Sequence, residues 1–142
     1  MADISITASA VVTVSGNTVD GTAGATIAAG ELCYKKASDG KYYLADCDAV
    51  AVAADTQADN VVGIALCSSA ASQPIKIQTS GSVTVNTGLT AGTVLYLSNT
   101  AGKITATYGD LAATDWLTTI GIPSAATVIN LDINRTSIQK PA

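Results

Sequence analysis

Hydrophobic and polar residues alternate along several short segments of this chain. The alternation is clearest in PIKIQ (74–78), where two isoleucines point to one side while Lys76 and Gln78 point to the other. The same rhythm recurs in VINLDIN (128–134) and in SVTV (82–85). Because successive side chains of a β-strand point to opposite faces, this alternation predicts a strand at each of the three places.

Residues that favour turns separate these segments. Asp39-Gly40 and Ala101-Gly102 are typical of tight reversals between antiparallel strands, so a β-hairpin is predicted at each. Short strands and frequent turns together predict an all-β fold, a compact β-sandwich or barrel. Residues 49–58 are predicted as a loop with one helical turn at most, and residues 110–115 are the other short helical candidate.

The second half of the chain repeats the first. TIAAGELCYKKASDGKY (26–42) and GLTAGTVLYLSNTAGKI (88–104) align without a gap, so that Leu32 meets Val94. Further along, Gly-Ile at 63–64 aligns with Gly-Ile at 121–122. The alternating strand at 75–77 aligns with residues 131–133 once two residues are dropped from the turn. The duplication therefore extends well beyond the hairpins.

The repeat predicts how the chain is organised. Residues 23–81 and 86–134 form two β units within a single domain, 23–142, and neither unit is long enough to cover its own apolar face. Packing the two units against each other with approximate two-fold symmetry buries both faces. Residues 1–22 stand outside the repeat and are predicted as an N-terminal strand or arm, with residues Ala2 to Val14 able to contact a neighbouring molecule.

Composition limits the classes of partner. Only 13% of the 142 residues are charged, the net charge is −4, and the seven Lys and Arg residues form no basic stripe. We therefore expect no nucleic-acid partner. The apolar stretches are too short to span a bilayer, so no membrane partner is expected. The N-terminus MADISITASA lacks the basic and apolar regions of a signal peptide, which predicts synthesis and use in a cytoplasm.

Side chains that commonly perform catalysis are scarce. The chain has no His, the commonest general base and metal ligand. We therefore expect no enzyme, no catalytic residue, no cofactor and no metal site. Cys33, Cys47 and Cys67 fit neither a CxxC pair nor a zinc site and are predicted to be buried free thiols. For the aspartates within residues 46–59, a solvated acidic loop is favoured over a calcium site.

Large and apolar side chains are the candidates for contact with a partner. Tyr34 and Tyr96 occupy equivalent positions of the repeat and are predicted to pack in the core. Aromatic residues are enriched where proteins anchor one another, and two of them lie in a less regular stretch. Together with apolar residues of the arm they give the predicted interface set: Ile4, Ile6, Val12, Val14, Tyr108 and Trp116.

Four phrases carry a family resemblance: AGATIAAGELCYKKASDGKYYLAD, VVGIALCSSAASQPIKIQTSG, GLTAGTVLYLSNTAGKI and TTIGIPSAATVINLDIN. Across about residues 23–138 the chain resembles head decoration (capsid cement) proteins of tailed bacteriophages. The resemblance implies a structural virion protein, commonly a homotrimer, on the outer capsid surface at junctions between major capsid proteins. It further implies synthesis in the cytoplasm of the host bacterium and a partner in the major capsid protein.

Two other functions stay open at this point. A tail or fibre module that binds a host surface has the same β architecture and a similarly low charge. The second alternative is a small enzyme or a carbohydrate-binding domain. A concave cleft with paired carboxylates in the structure would support this alternative.

Overall fold

The computed structural model of the chain describes residues 3–4, 6–85 and 88–141. Over these residues the chain forms eleven β-strands, one α-helix and two single turns of 3-10 helix. The strands pair antiparallel in two sheets, which confirms the all-β prediction; in the described part of the chain the sheets do not close into a barrel. The helix α1 covers Ala49–Ala54, and the 3-10 turns cover Ala8–Ala10 and Tyr108–Asp110.

One sheet has six strands and the other has five. In spatial order the six-stranded sheet contains β1 (Val12–Thr13), β7 (Gly81–Thr84), β11 (Val128–Gln139), β10 (Trp116–Ala125), β8 (Leu95–Leu97) and β9 (Ile104–Thr105). The five-stranded sheet contains β2 (Thr18–Thr22), β6 (Pro74–Gln78), β5 (Gly63–Ala65), β3 (Leu32–Lys35) and β4 (Tyr42–Leu44).

Both predicted hairpins are present. β3 pairs with β4 across the turn that contains Gly40, and β8 pairs with β9 across the turn that contains Gly102. The two glycines have φ angles of 69° and 77°, which most other residues avoid. The backbone conformation of these two turns therefore favours the glycines that the sequence places there.

The two sheets share one strand order. Strands β2 to β6 are arranged as β2-β6-β5-β3-β4, and strands β7 to β11 as β7-β11-β10-β8-β9. The residue pairs between strands correspond too. Gly63 faces Cys33, and Gly121 faces Leu95, which is the residue that aligns with Cys33 in the repeat. The predicted two-fold packing is not confirmed, because a two-fold axis would bury equivalent positions alike, whereas Leu32 is buried and its counterpart Val94 is 37% exposed.

One part of the sequence alignment differs from the strand pairing. Ile77 faces Ala65, and the corresponding pair in the other sheet is Ile129 with Pro123. The pairing therefore matches Ile77 with Ile129, whereas the alignment matched it with Ile133. The reason is the turn, because only two residues separate β10 from β11.

A hydrophobic core joins the two sheets. Its buried side chains come from both, among them Leu32 and Ile64 of the five-stranded sheet and Leu95 and Ile129 of the six-stranded sheet. We call this cluster the main core. Neighbouring residues of a strand point to opposite faces. A smaller cluster on the other face of the five-stranded sheet therefore includes Ala65, next to Ile64.

The leading residues belong to both sheets. Strand β1 pairs with β7, and β2 pairs with β6 over its whole length. Asp3 bridges to Thr105, and the Ile4 amide donates to the Ile104 carbonyl at 2.8 Å. The described part of the predicted arm thus lies along the chain's own sheets; residues 1, 2 and 5 of that arm lie outside the described residues.

The prediction of a loop at residues 49–58 is wrong for its first part. Ala49–Ala54 form α1, and the side chain of Asp48 caps it by accepting a hydrogen bond from the Val50 amide at 2.8 Å. Alanine favours helix, and an N-terminal aspartate satisfies an otherwise unpaired amide. The other short candidate, residues 110–115, overlaps a 3-10 turn only at Asp110.

Candidate interaction surface

The apolar residues of the leading segment divide into two groups. Ile4 and Ile6 are half-buried and pack against the main core, so they are structural in this fold. Val12 and Val14 have 58% and 61% of their surface exposed, because it is Val11 that enters the core. Of these four predicted interface residues, the structure presents two on the surface.

The two aromatic candidates also differ. Trp116 is half-buried against the main core, which fits a packing residue better than an anchor for a partner. Tyr108 is 40% exposed, and its ring lies 5.8 Å from the ring of Tyr96. The Lys140 ammonium lies 4.9 Å from the Tyr108 ring centroid and donates to the Leu111 carbonyl. Tyr108 is therefore held in place at the surface.

A groove on the six-stranded sheet was missed by the sequence reasoning. It has a volume of about 330 Å³ and opens on the side of the sheet that faces away from the main core. We call its lining the outer face: Val94, Thr119, Gly121, Ile122, Asn130 and Asp132. Val94 is 37% exposed and Ile122 is 45% exposed, although both are aliphatic.

The ladder connects the outer face to one predicted interface residue. Val12 faces Thr84 across β1 and β7, and Ser82, two residues before Thr84, faces Asn130. Asn130 in turn faces Ile122. Cross-strand partners share a face of the sheet, so Val12 lies on the same side as the groove. Val12, Val94 and Ile122 are therefore exposed on the same side of the sheet.

Charge is almost absent from this surface. Asp132 supplies the one charged side chain among the six lining residues. Four ion pairs occur among the described residues, and none of them includes Asp132: Lys36–Asp55, Lys76–Asp20, Lys103–Glu31 and Arg135–Asp59. The outer face thus combines accessible aliphatic groups with one carboxylate.

The cysteines occupy two kinds of environment. Cys33 and Cys47 are fully buried, as predicted, and burial raises the pKa of Cys33 to about 12 and also raises that of Cys47. Their thiols are therefore neutral and poor nucleophiles near pH 7. The prediction is wrong for Cys67, which is exposed because it lies in the turn between β5 and β6.

The acidic segment is less solvated than predicted. Asp59 has no exposed surface, and one of its carboxylate oxygens accepts a hydrogen bond from Arg135 at 2.6 Å. Asp48 caps α1, and Asp46 accepts from the Asp48 amide at 2.9 Å. These carboxylates have structural partners within the chain, and no group of three or more potential metal ligands is found among the described residues.

A polar cluster near α1 is the nearest approach to a reactive site. The Tyr34 hydroxyl donates to the Asp55 carboxylate at 2.8 Å, and the Lys36 ammonium lies 4.0 Å from the same carboxylate. Burial, helped by this hydrogen bond, raises the pKa of Tyr34. A tyrosine held protonated is not a base, and its carboxylate partner is already engaged.

Comparisons with known protein families, with curated proteins and with solved structures found no match to this chain. Among the described residues, no helix has both the length and the apolar character needed to cross a membrane.

Proposed function

We propose that this chain is a structural virion protein that decorates the outside of a phage head and stabilises contacts between major capsid proteins. The observation that carries the proposal is the outer face, where Val94 and Ile122 are exposed on a well-packed sheet. Val94 and Ile122 line the same groove, and exposed apolar side chains gathered in a groove are one mark of a site where another protein binds. Val12 extends this surface to the edge of the sheet.

Contact area is the means by which such a protein acts. Apart from the exposed Cys67 and Asp132, the nucleophilic and acidic side chains described above are buried or engaged within the fold, so the accessible surface has mainly shape and apolar contact to offer. A homotrimer on the capsid joins several modest contacts into one attachment, and linked contacts bind far more tightly than each alone. Bridging neighbouring major capsid proteins in this way stabilises the shell.

The test is a pelleting assay with heads purified without this protein from the phage that encodes it. We expect saturable binding, a protein that behaves as a trimer in light scattering, and heads that withstand a higher temperature once coated. Heads that neither bind the protein nor gain stability would contradict the proposal.

Antibody labelling of intact virions separates this proposal from its nearest alternative. Label distributed over the head is the expected result. Label confined to the tail or its fibres would instead assign the chain to a module that binds the host surface.

A further inference from the structure

The five-stranded sheet contains a row of side chains that is equivalent to the outer face but is covered by the other sheet. Its row of cross-strand neighbours Leu32, Ile64 and Gln78 is completely buried. The first two side chains belong to the main core. The Gln78 amide nitrogen lies 2.9 Å from each of three backbone carbonyls, including that of Ser82 in the other sheet. This row therefore binds through aliphatic contact and amide hydrogen bonds.

The six-stranded sheet has the equivalent row, but uncovered. Ile122 faces Asn130, as Ile64 faces Gln78. Val94 occupies the position equivalent to Leu32. Val94 directly precedes Leu95, which pairs with Gly121. Leu32 directly precedes Cys33, which pairs with Gly63. The equivalent row therefore consists of Val94, Ile122 and Asn130, and all three residues are exposed. The chain thus carries one covered and one open copy of the same arrangement.

The geometry points to the outer face as the docking site for an extended segment of another protein, which under the proposed function is a segment of the major capsid protein. The segment places an aliphatic side chain between Val94 and Ile122, and its backbone carbonyl accepts a hydrogen bond from the Asn130 amide. A Lys or Arg of the segment pairs with Asp132, which no cation among the described ion pairs neutralises.

A second copy of this chain does not supply that partner. The surface that covers the row in the five-stranded sheet consists of main-core side chains such as Leu95 and Ile129, which are buried in every copy. The net charge of −4 also makes one copy a poor source of a cation for Asp132 in another. A partner with a basic residue in an apolar segment complements the face better.

The test compares head binding by variants of the outer face with a matched control. Ile122→Ser removes the central aliphatic group, and Asp132→Lys reverses the charge. Each is expected to weaken binding at least about tenfold, as truncation of a central contact does. The control is Ile138→Ser, because Ile138 is more exposed than Ile122, 61% against 45%, but lies near the end of β11. It should bind as the wild type does.

Salt dependence tests the ion pair separately. Wild-type binding is expected to weaken as ionic strength rises, whereas Asp132→Asn should bind more weakly at low salt and respond less to added salt. Thermal unfolding of every variant shows whether its fold is intact. Ile122 and Asp132 are exposed, so their substitution should leave the unfolding temperature close to that of the wild type.

The possible failures are distinguishable. Heads that do not bind the wild-type protein overturn the proposed function and this docking site with it. Wild-type binding that survives Ile122→Ser and Asp132→Lys overturns the docking site alone. An oligomer of the pure protein that Ile122→Ser dissociates shows that a second copy covers the face, which also overturns the proposal.

Discussion

At the scale of single residues, Gln78 links the two sheets. It has no exposed surface, and its amide nitrogen lies within hydrogen-bonding distance of the carbonyls of Ser15, Ser80 and Ser82. Ser15 lies in the turn before β2, Ser80 lies between β6 and β7, and Ser82 lies in β7. One side chain therefore holds the place where the chain passes from one sheet to the other.

Replacing Gln78 with methionine should destabilise the fold. Gln78→Met keeps a side chain of similar volume but removes the donor to the Ser15 and Ser80 carbonyls, whereas the Ser82 carbonyl still accepts from the Val14 amide at 2.9 Å. It also removes the buried amide oxygen of Gln78, which has no partner among the described residues and offsets part of the loss. We expect the free energy of unfolding to fall by about 2 kcal/mol, the cost of leaving buried polar groups unsatisfied. Urea denaturation measures the change.

Gln139 provides the control for this substitution. Within the described residues its side-chain amide donates to the Thr114 carbonyl alone, and the residue is exposed. Gln139→Met should change stability by no more than about 0.5 kcal/mol. Equal losses for both variants would show that Gln78 is not the link we describe.

At the scale of elements, hairpins were predictable from the sequence because their requirements are local. The Asp39-Gly40 turn and the alternation in β6 and β11 depend on a few adjacent residues, and the structure contains all of them. The helix α1 lies in a stretch that was a helical candidate but was predicted as a loop with one turn, because alternating alanine and valine fit either element; the cap at Asp48 favours the helix.

The candidate surface was only partly predictable, since exposure depends on what packs against each face. Val94 and Ile122 carry the same apolar signal as their counterparts Leu32 and Ile64, yet one pair is exposed and the other is buried. The alternation within a strand does not tell which of its two faces another sheet will cover. Ile4 and Ile6 could not be distinguished from Val12 and Val14 for the same reason, because a contact with the chain's own core resembles a contact with a partner.

Two glycines at matching places in β5 and β10 are required by close strand packing. A Cβ at Gly63 would lie 2.0 Å from the Gln78 carbonyl oxygen, and one at Gly121 would lie 2.1 Å from that of Asn130. Gly63→Ala and Gly121→Ala should therefore each lower the free energy of unfolding by at least about 2 kcal/mol through overpacking. Thermal and urea unfolding of the two variants measure the loss.

Gly109 is the matched control, because the nearest heavy atom to its added Cβ would be 3.9 Å away. Gly109→Ala should leave stability within about 1 kcal/mol of the wild type. If Gly121→Ala were as stable as this control, the close contact between β10 and β11 described here would be incorrect.

At the scale of the whole molecule, the main core makes the two sheets depend on each other. The row Leu32, Ile64 and Gln78 of the five-stranded sheet is buried because the six-stranded sheet covers it, and Gln78 links the two sheets by a hydrogen bond to Ser82. Neither sheet keeps its share of the main core buried if the other unfolds. The molecule should therefore behave as one folding unit, in spite of its two similar halves.

Cooperative unfolding can be measured with one probe in each sheet. Trp116, the single tryptophan, reports on the six-stranded sheet through fluorescence, and Cys33 reports on the five-stranded sheet through its reactivity with a thiol reagent. A Cys67→Ser background removes the exposed thiol, and peptide mass spectrometry identifies labelling at Cys33. The two transitions should coincide in urea, as expected for a small domain without a populated intermediate. A Cys33 transition well below that of Trp116 would mean that the two units unfold separately, because the main core would then not couple them.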